Sequence, residues 1–363
     1  MSKLGVSVYP ERATFEQDQA YLDLAHKYGF QRVFTSLLEI TGDQQEVIAH
    51  FKQVITYANS LGMQVMVDMN PNLFEQLGIS YEDLSFFKEL GAWGVRLDLG
   101  FTGQEEARMT HNPYGLKIEV NMSKGTHYLD TIMDYSPNRD NLLGSHNFYP
   151  QKFTGLGYDY FKACCEKYRQ YAINTAAFVT APSATFGPWP VADGLSTLEE
   201  HRNLPISTQV QHLRLSGLID DVLIGDAYAS EAELKAASEA FFAPEPILHV
   251  DVEPTATATE RKVLFDQSQT YRGDFSDYVI RSTMTRVIYK DAAFPANNTT
   301  PIYAGDLLID NDDYGQYKGE LQIARQDFAN DGRINVVGHI SAADQILLKH
   351  LKPWADFKLV ANN

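Results

Sequence analysis

Cysteine is scarce in this 363-residue chain: Cys164 and Cys165 are the only two, and they are neighbours. Adjacent residues on a helix point about 100° apart and do not pair routinely, so both read as reduced thiols in a protein without covalent staples. Long apolar runs are also missing, which excludes a membrane-spanning helix. The opening residues MSKLGVSVYP read as a strand and lack the basic start and apolar stretch of a secretory leader. These features point to the cytoplasm. Positive charge is in short supply, with 30 Lys and Arg against 47 Asp and Glu and a net charge of −17. Such a field repels phosphate backbones and argues against a nucleic-acid partner. A small anionic ligand would need a local basic pocket. The sequence has no GxGxxG, no P-loop, no HExxH, HxH or CxxC, and its ten histidines are scattered. No dinucleotide cofactor and no metal centre is therefore expected.

What is present is a repeating alternation. Short apolar runs at 4–9, 32–38, 64–69, 94–99, 117–121, 143–148, 174–180 and 221–225 read as strands, with amphipathic segments between them. The segment TFEQDQAYLDLAHKYG opens on Thr14 as an N-cap and closes on Gly29, and the next two helical segments close on Gly62 and Gly91. Helix, glycine, strand is the order of βα units. Eight strands and about eight helices in some 240 residues predict a (β/α)8 TIM barrel of the α/β class. A doubly wound sheet is the rival, but the first strand is followed by VYPERATFE and no glycine fingerprint. Beyond FFAPEPILHV the texture turns β-rich, in runs such as ILHVDVEP, RKVLFDQ, VIRSTMTR, LLIDN, GELQIARQ and INVVGHI. This predicts two domains: a catalytic barrel over 1–243 and a small β-rich module over 244–363.

In such barrels the chemistry sits where the strands end. Polar residues cluster there: Glu39 after the second strand, Asp68 and Asn70 at the third, Arg96 and Asp98 at the fourth, Glu119 and Asn121 at the fifth, and His146, Asn147 and Tyr149 at the sixth. Each has an ordinary alternative. Arg96 and Asp98 alternate and so point the same way, which would suit a structural ion pair. Asp68 or Asn70 could cap the next helix. Glu39 could be solvated, Glu119 lies deeper and suits a buried partnered carboxylate, and His146 alone could be a hydrogen-bonded core histidine. The coincidence on five successive strands carries the functional reading. Paired carboxylates at one rim are what glycoside hydrolysis needs, one to protonate the leaving oxygen and one to stabilise or attack the sugar carbon. Crowding them lifts the pKa of one and so supplies a proton donor. Retaining and inverting routes both stay open. Phe148, Tyr149, Phe186 and Trp189 could face a sugar ring or simply pack their loops.

The strand-end set SLLE, VDMNP, VRLDLG, EVN and SHNFYP, followed by TGLG and GLSTLEEHR, resembles the MupG-type 6-phospho-N-acetylmuramidases, glycoside hydrolase family 170. YRGDFSDYVIRST, GDLLIDNDDYGQYKGELQI and NVVGHI resemble that family's cyclophilin-like second domain, so the likeness spans nearly the whole chain. The resemblance implies a cytoplasmic bacterial hydrolase of peptidoglycan recycling and amino-sugar metabolism. Its substrate would be the disaccharide N-acetylmuramic acid 6-phosphate–N-acetylglucosamine. Carried over onto this sequence, the family's rim implies Asp68 and Asp98 as the catalytic pair with Glu39 in reserve. It implies Arg96, Asn121, His146, Asn147, Glu199, His201 and Arg202 as substrate-binding residues. The substrate's 2-acetamido group could also act as an internal nucleophile, one acid then orienting it.

A phosphate and a lactyl carboxylate call for arginine. Ser183, Thr185 and Arg202 lie in or after the loop where barrels often hold phosphate. Arg281 and Arg286, five apart in a strand-like run, should face opposite ways, and Arg281, inside the matching RST motif, is the expected substrate contact. Two rival readings are a phosphosugar lyase, aldolase or isomerase on the same barrel, with Lys124 the nearest rim lysine, and a non-catalytic sugar-phosphate-binding protein. The sequence is compatible with a monomer or a homodimer.

Overall fold

The barrel strands carry two alternating sets of side chains, and each set makes its own core. In a computed structural model, residues 2–37, 43–69, 73–74, 77–184, 186–188, 191 and 193–362 are described. The chain divides into two compact units, Met1–Phe241 and Phe242–Asn363. In the first, the strands are β1 (Leu4–Ser7), β2 (Arg32–Ser36), β3 (Gln64–Met69), β4 (Gly94–Leu97), β5 (Lys117–Asn121), β6 (Leu142–Ser145), β7 (Asn174–Val179) and β8 (Asp221–Ile224). They pair in parallel in that order and close through β8 on β1, so the expected TIM barrel is the observed one.

Outward-facing residues such as Val33, Val65, Val67, Val95, Leu97, Ile118, Val120 and Val222 are buried against the helices in one large cluster. Full burial of each such side chain is worth about 1.5–3 kcal/mol. The inward set differs. It holds the apolar cluster Tyr9, Phe34, Ala176, Phe178 and Leu223 together with a charged set. Arg32 crosses the interior to meet Glu119 at 2.7 Å and Asp221 at 3.0 Å, and none of these three side chains is more than 4% exposed. Gly5 makes room for it, because a Cβ there would lie 2.9 Å from Arg32 Cβ.

The helices follow their caps. In α1 (Phe15–Lys27) the Thr14 side chain accepts the Gln17 N–H in a capping box, and Gly29 lies at φ 81. In α2 (Gln44–Ser60) Asp43 is the cap and Gly62 follows at φ 76, while α3 (Ser85–Leu90) ends on Gly91 at φ 88. Positive φ is cheap only for glycine, which is why the sequence marks these ends. Among the described residues no helix is long and apolar enough to cross a membrane.

The second unit is a seven-stranded mixed sheet of β9 (Ile247–Val252), β10 (Gln269–Thr270), β11 (Val279–Ser282), β12 (Asp306–Asp310), β13 (Leu321–Ala324), β14 (Ile334–Ile340) and β15 (Asp356–Ala361). Its order is β10-β15-β9-β14-β12-β13-β11, with only β15 and β9 parallel. Two sequence expectations are corrected here. RKVLFDQ, read as a β-run, falls in a helix at Ala258–Phe265, because Thr257 and Glu260 form a complete capping box at its start. The run VIRSTMTR is a strand only to Ser282. A short helix, Met284–Ile288, follows and turns Arg286 back toward the side of Arg281.

Candidate active site

Parallel register sets the rim. Across the sheet Ser36 pairs with Asp68, Asp68 with Arg96 and Arg96 with Glu119, so their side chains enter the barrel side by side. Arg96 is the hub. Its Nη1 donates to Asp68 Oδ1 at 2.7 Å and lies 3.5 Å from Asp98 Oδ1, its Nε donates to Ser145 Oγ at 2.7 Å, and its Nη2 donates to Asn147 Oδ1. Glu119 stands behind at 4.0 Å, already held by Arg32. Above this layer opens a pocket of about 130 Å³, lined by Asp68, Arg96, Asp98, Asn147, Phe34, Phe148 and Phe178. The three phenylalanines meet edge to face, with centroids 5.1 to 6.0 Å apart, and give the pocket an apolar wall opposite its acids.

The two acids differ in setting. Asp68 is buried, and burial lifts its pKa to about 6. The Arg96 guanidinium opposes the rise, and the neighbouring carboxylates of Asp98 and Glu119 add to it. Asp98 is about a third exposed (32%) at the open side of the pocket. A buried carboxyl whose pKa is lifted toward neutrality beside a more open one is the division of labour that acid catalysis uses.

The remaining sequence-predicted residues take several positions. Asn121 donates from Nδ2 to the Asp98 carbonyl at 3.2 Å and accepts the Ser123 N–H at 2.9 Å, so it holds the strand end under Asp98. His146 is fully buried and does not line the pocket, its ring lying 4.7 Å from that of Phe161. Its Nδ1 lies 3.0 Å from Ser123 Oγ and its Nε2 3.3 Å from Cys165 Sγ, and burial pulls its pKa down to about 3. It is a neutral strut. Ser123 Oγ in turn accepts the Asn147 N–H at 2.9 Å, which fixes the residue that grips Arg96.

Glu199 and Arg202 form a two-contact pair with Nε–Oε1 and Nη2–Oε2 both 2.8 Å, and they bind the loop after β6 rather than the pocket. Glu199 accepts the N–H groups of Phe153 and Gly155 at 2.9 and 2.8 Å. Arg202 donates to the carbonyls of Tyr149, Gln151, Asp193 and Gly194. The hydrogen bonds from Arg202 hold Glu199 down at about 2. All the N–H donors of Arg202 are thus engaged by its own chain. His201 Nε2 lies 2.7 Å from His212 Nδ1 in a buried pair away from the pocket. Ser183 is bonded to Glu233 through both its N–H and its hydroxyl. The Lys124 amine donates to the Leu99 carbonyl at 2.6 Å, and no lysine lines the described pocket. Arg281 lies in the second unit, on Glu320. Glu39, Asn70, Thr185 and Trp189 fall outside the described residues.

Sequence reading missed Phe34 and Phe178, which come from strands and not from loops. Their parity on β2 and β7, shared with the inward Ser36 and Ala176, was the available signal. It also missed Asp226, just after β8, which accepts the Thr180 hydroxyl at 2.6 Å and the Ala181 N–H at 3.1 Å and is lifted to about 6 by burial. Among the described residues, no group of three or more His, Cys, Asp or Glu could hold a metal ion.

Fold and pocket together define a (β/α)8-barrel protein with an acid-and-arginine site at the strand ends, joined to a second unit of mixed sheet. Comparison with known families narrows this. The model of the 6-phospho-N-acetylmuramidase N-terminal part matches residues 4–239 and that of the C-terminal part residues 246–360, so the chain belongs to the 6-phospho-N-acetylmuramidase family. Among solved structures, an uncharacterised B. cereus protein is 45% identical, with 99% of each chain covered and a TM-score of 0.89. A conserved Enterococcus faecalis protein of unknown function is 26% identical over 100% of this chain and 97% of the other, with a TM-score of 0.76. No curated protein matches the chain significantly.

Proposed function

We propose that this protein hydrolyses the glycosidic bond of N-acetylmuramic acid 6-phosphate–N-acetylglucosamine, as a cytoplasmic step of peptidoglycan recycling. The observation that carries the reading is Arg96 holding Asp68 and Asp98 in one pocket, in a chain of this family. Asp68 is the general acid that protonates the leaving oxygen. Asp98, on the open side, attacks or stabilises the sugar carbon as positive charge develops there. Arg96 orients both and limits the repulsion between them. The phenylalanine wall takes the apolar face of a sugar ring.

Asp68 Oδ1 and Asp98 Oδ1 lie 2.7 and 3.5 Å from one Arg96 nitrogen, which sets both acids at one pocket and is compatible with a retaining or an inverting route. A lyase or aldolase working through a Schiff base has less support, because the nearest rim lysine is bonded to a carbonyl outside the pocket.

The test is to incubate the protein with the 6-phosphorylated and the unphosphorylated disaccharide and to follow N-acetylglucosamine release. Release from the phosphorylated sugar is expected, with a loss of at least ~100-fold in Asp98→Asn. No release from either sugar would overturn the hydrolase assignment. Equal cleavage of both would overturn phosphate recognition, and full activity in Asp98→Asn would overturn the site.

A further inference from the structure

Where β6 and β7 part, a third segment takes over the ladder between them. The two strands pair as far as Ser145 and Ala176, and the His146 N–H still reaches the Ala176 carbonyl at 2.9 Å. One residue further, Asn147 gives its side chain to Arg96, while β7 runs on through Phe178. Both residues line the pocket. Thr197, fully buried, comes back from the loop after β7 and fills the gap between them. Its N–H donates to the Phe178 carbonyl at 2.9 Å, and its Oγ1 accepts the Phe178 N–H at 2.9 Å. The same hydroxyl donates to the Asn147 carbonyl at 2.9 Å. A gap bounded by one N–H and one carbonyl needs a single group that accepts and donates at once. A hydroxyl does both, and a methyl of similar size does neither.

The strap that delivers Thr197, residues 195–198, is fixed along its length. The Leu195 N–H donates to Thr180 Oγ1 at 3.2 Å, and the Thr197 carbonyl accepts the Leu156 N–H at 2.9 Å. Gly225 lets the strap pass, because a Cβ there would lie 2.5 Å from the Leu195 carbonyl oxygen. Asn147 is thereby held at two points, its N–H on Ser123 Oγ and its carbonyl on Thr197 Oγ1. Its side-chain oxygen accepts from Arg96 Nη2, and Arg96 stands between Asp68 and Asp98. The path from Thr197 to the two acids runs through Asn147 and Arg96 alone.

We propose that the Thr197 hydroxyl is a positioning group for the pocket: it sets Asn147, and through it the Arg96 guanidinium, against the two acids. Its effect on rate rests on the hydrolase reading, whereas its effect on Arg96 does not.

The experiment compares the full chain with Thr197→Val and Thr197→Ser. Valine keeps the shape and both main-chain bonds of residue 197, so the strap stays and only the hydroxyl bonds go. Two readouts are taken: kcat and KM for the 6-phosphorylated disaccharide, and the 15N–1H resonance of Arg96 Nε, assigned by its absence in Arg96→Lys. In Thr197→Val kcat should fall at least ~10-fold with KM within about twofold, because Phe178 keeps one bond to the strap while the Asn147 carbonyl loses its hold. The Arg96 resonance should move with it, and Thr197→Ser should restore both. Thermal unfolding identifies the folded variants, and Thr197→Ala, which also lacks the hydroxyl, takes the place of a valine protein that does not fold. An Arg96 resonance and kcat left in place by loss of the hydroxyl, or a serine protein as impaired as the valine one, would overturn the positioning role. No sugar release by the parent would instead overturn the hydrolase reading, and the Arg96 resonance would still decide the role of Thr197.

Discussion

Replacing Asp68 by Asn should remove catalysis and, as pH rises, make the protein progressively more stable relative to its parent. The folded chain holds the Asp68 proton up to about pH 6, whereas an ordinary aspartate releases it near 3.8. Between those values the folded state binds the extra proton. The stability this contributes is complete below about pH 4 and is lost as pH rises through about 6. Roughly two pH units at ~1.4 kcal/mol each come to about 3 kcal/mol. Asparagine never ionises, so the variant lacks this slope. Exchanging the protonated carboxyl for an amide also alters one neutral partner of Arg96, which retains Ser145 Oγ at 2.7 Å and Asp98 at 3.5 Å. That cost is a roughly fixed offset, so the pH dependence of the difference is the quantity to read.

Urea unfolding of both proteins at about pH 4.5 and about pH 7.5 measures it, since the unfolding free energy extrapolates linearly in denaturant. The variant should gain on its parent by most of ~3 kcal/mol between the two conditions. A difference that stays flat or falls with rising pH would mean that the Arg96 guanidinium outweighs burial. Asp68 would then be an ordinary ionised ion-pair partner with no proton to deliver, and the acid role assigned to it would fail.

Three further outcomes follow from the same contacts. If Asp68 is the proton donor, kcat/KM should fall about tenfold per pH unit above ~6, and a rate that rises there would make Asp68 a base. Arg202→Met removes every bond that ties the β6 loop to Arg202 and leaves Glu199 without its cation, so it should cost about 3–5 kcal/mol in thermal unfolding and raise KM. A loss under ~1 kcal/mol would show that the loop is held by other contacts. Gly94→Ala sets a Cβ 2.7 Å from the Lys117 carbonyl and 2.8 Å from Met66 Cε. It should destabilise the barrel by about 1–3 kcal/mol, and a neutral effect would mean the strands can part there.

Much of the barrel is legible because its signals are local. Thr14, Gly29, Gly62 and Gly91 punctuate the helices through backbone geometry that depends on no distant residue. Strand ends are less so. Leu99 and Phe148 read as strand from their apolar character, yet β4 stops at Leu97 and β6 at Ser145, where the backbone leaves the sheet for the rim loops. In the second unit, RKVLFDQ is apolar enough for a strand, and only the cap three residues upstream of Glu260 marks it as a helix. The Arg281–Arg286 spacing misleads for the same reason, since a strand that ends at Ser282 no longer alternates.

The site divides along another line. Asp68, Arg96 and Asp98 could be picked out because one strand parity and one barrel rim bring them together before any side chain is placed. What each then does is set by neighbours that spacing cannot supply. Arg96 and Arg202 look alike in sequence, but Arg96 faces a pocket between two acids, while Arg202 is surrounded by carbonyl groups and Glu199. Asp68 and Asp98 also look alike, and Asp68 is pushed toward neutrality chiefly because it is buried while Asp98 is about a third exposed. Glu119 supplies part of that push and is itself held by Arg32 from a strand almost ninety residues earlier. The acidity of the proposed donor is therefore a property of the closed barrel, because burial between its strands is the largest cause of the shift and a carboxylate from the next strands adds to it.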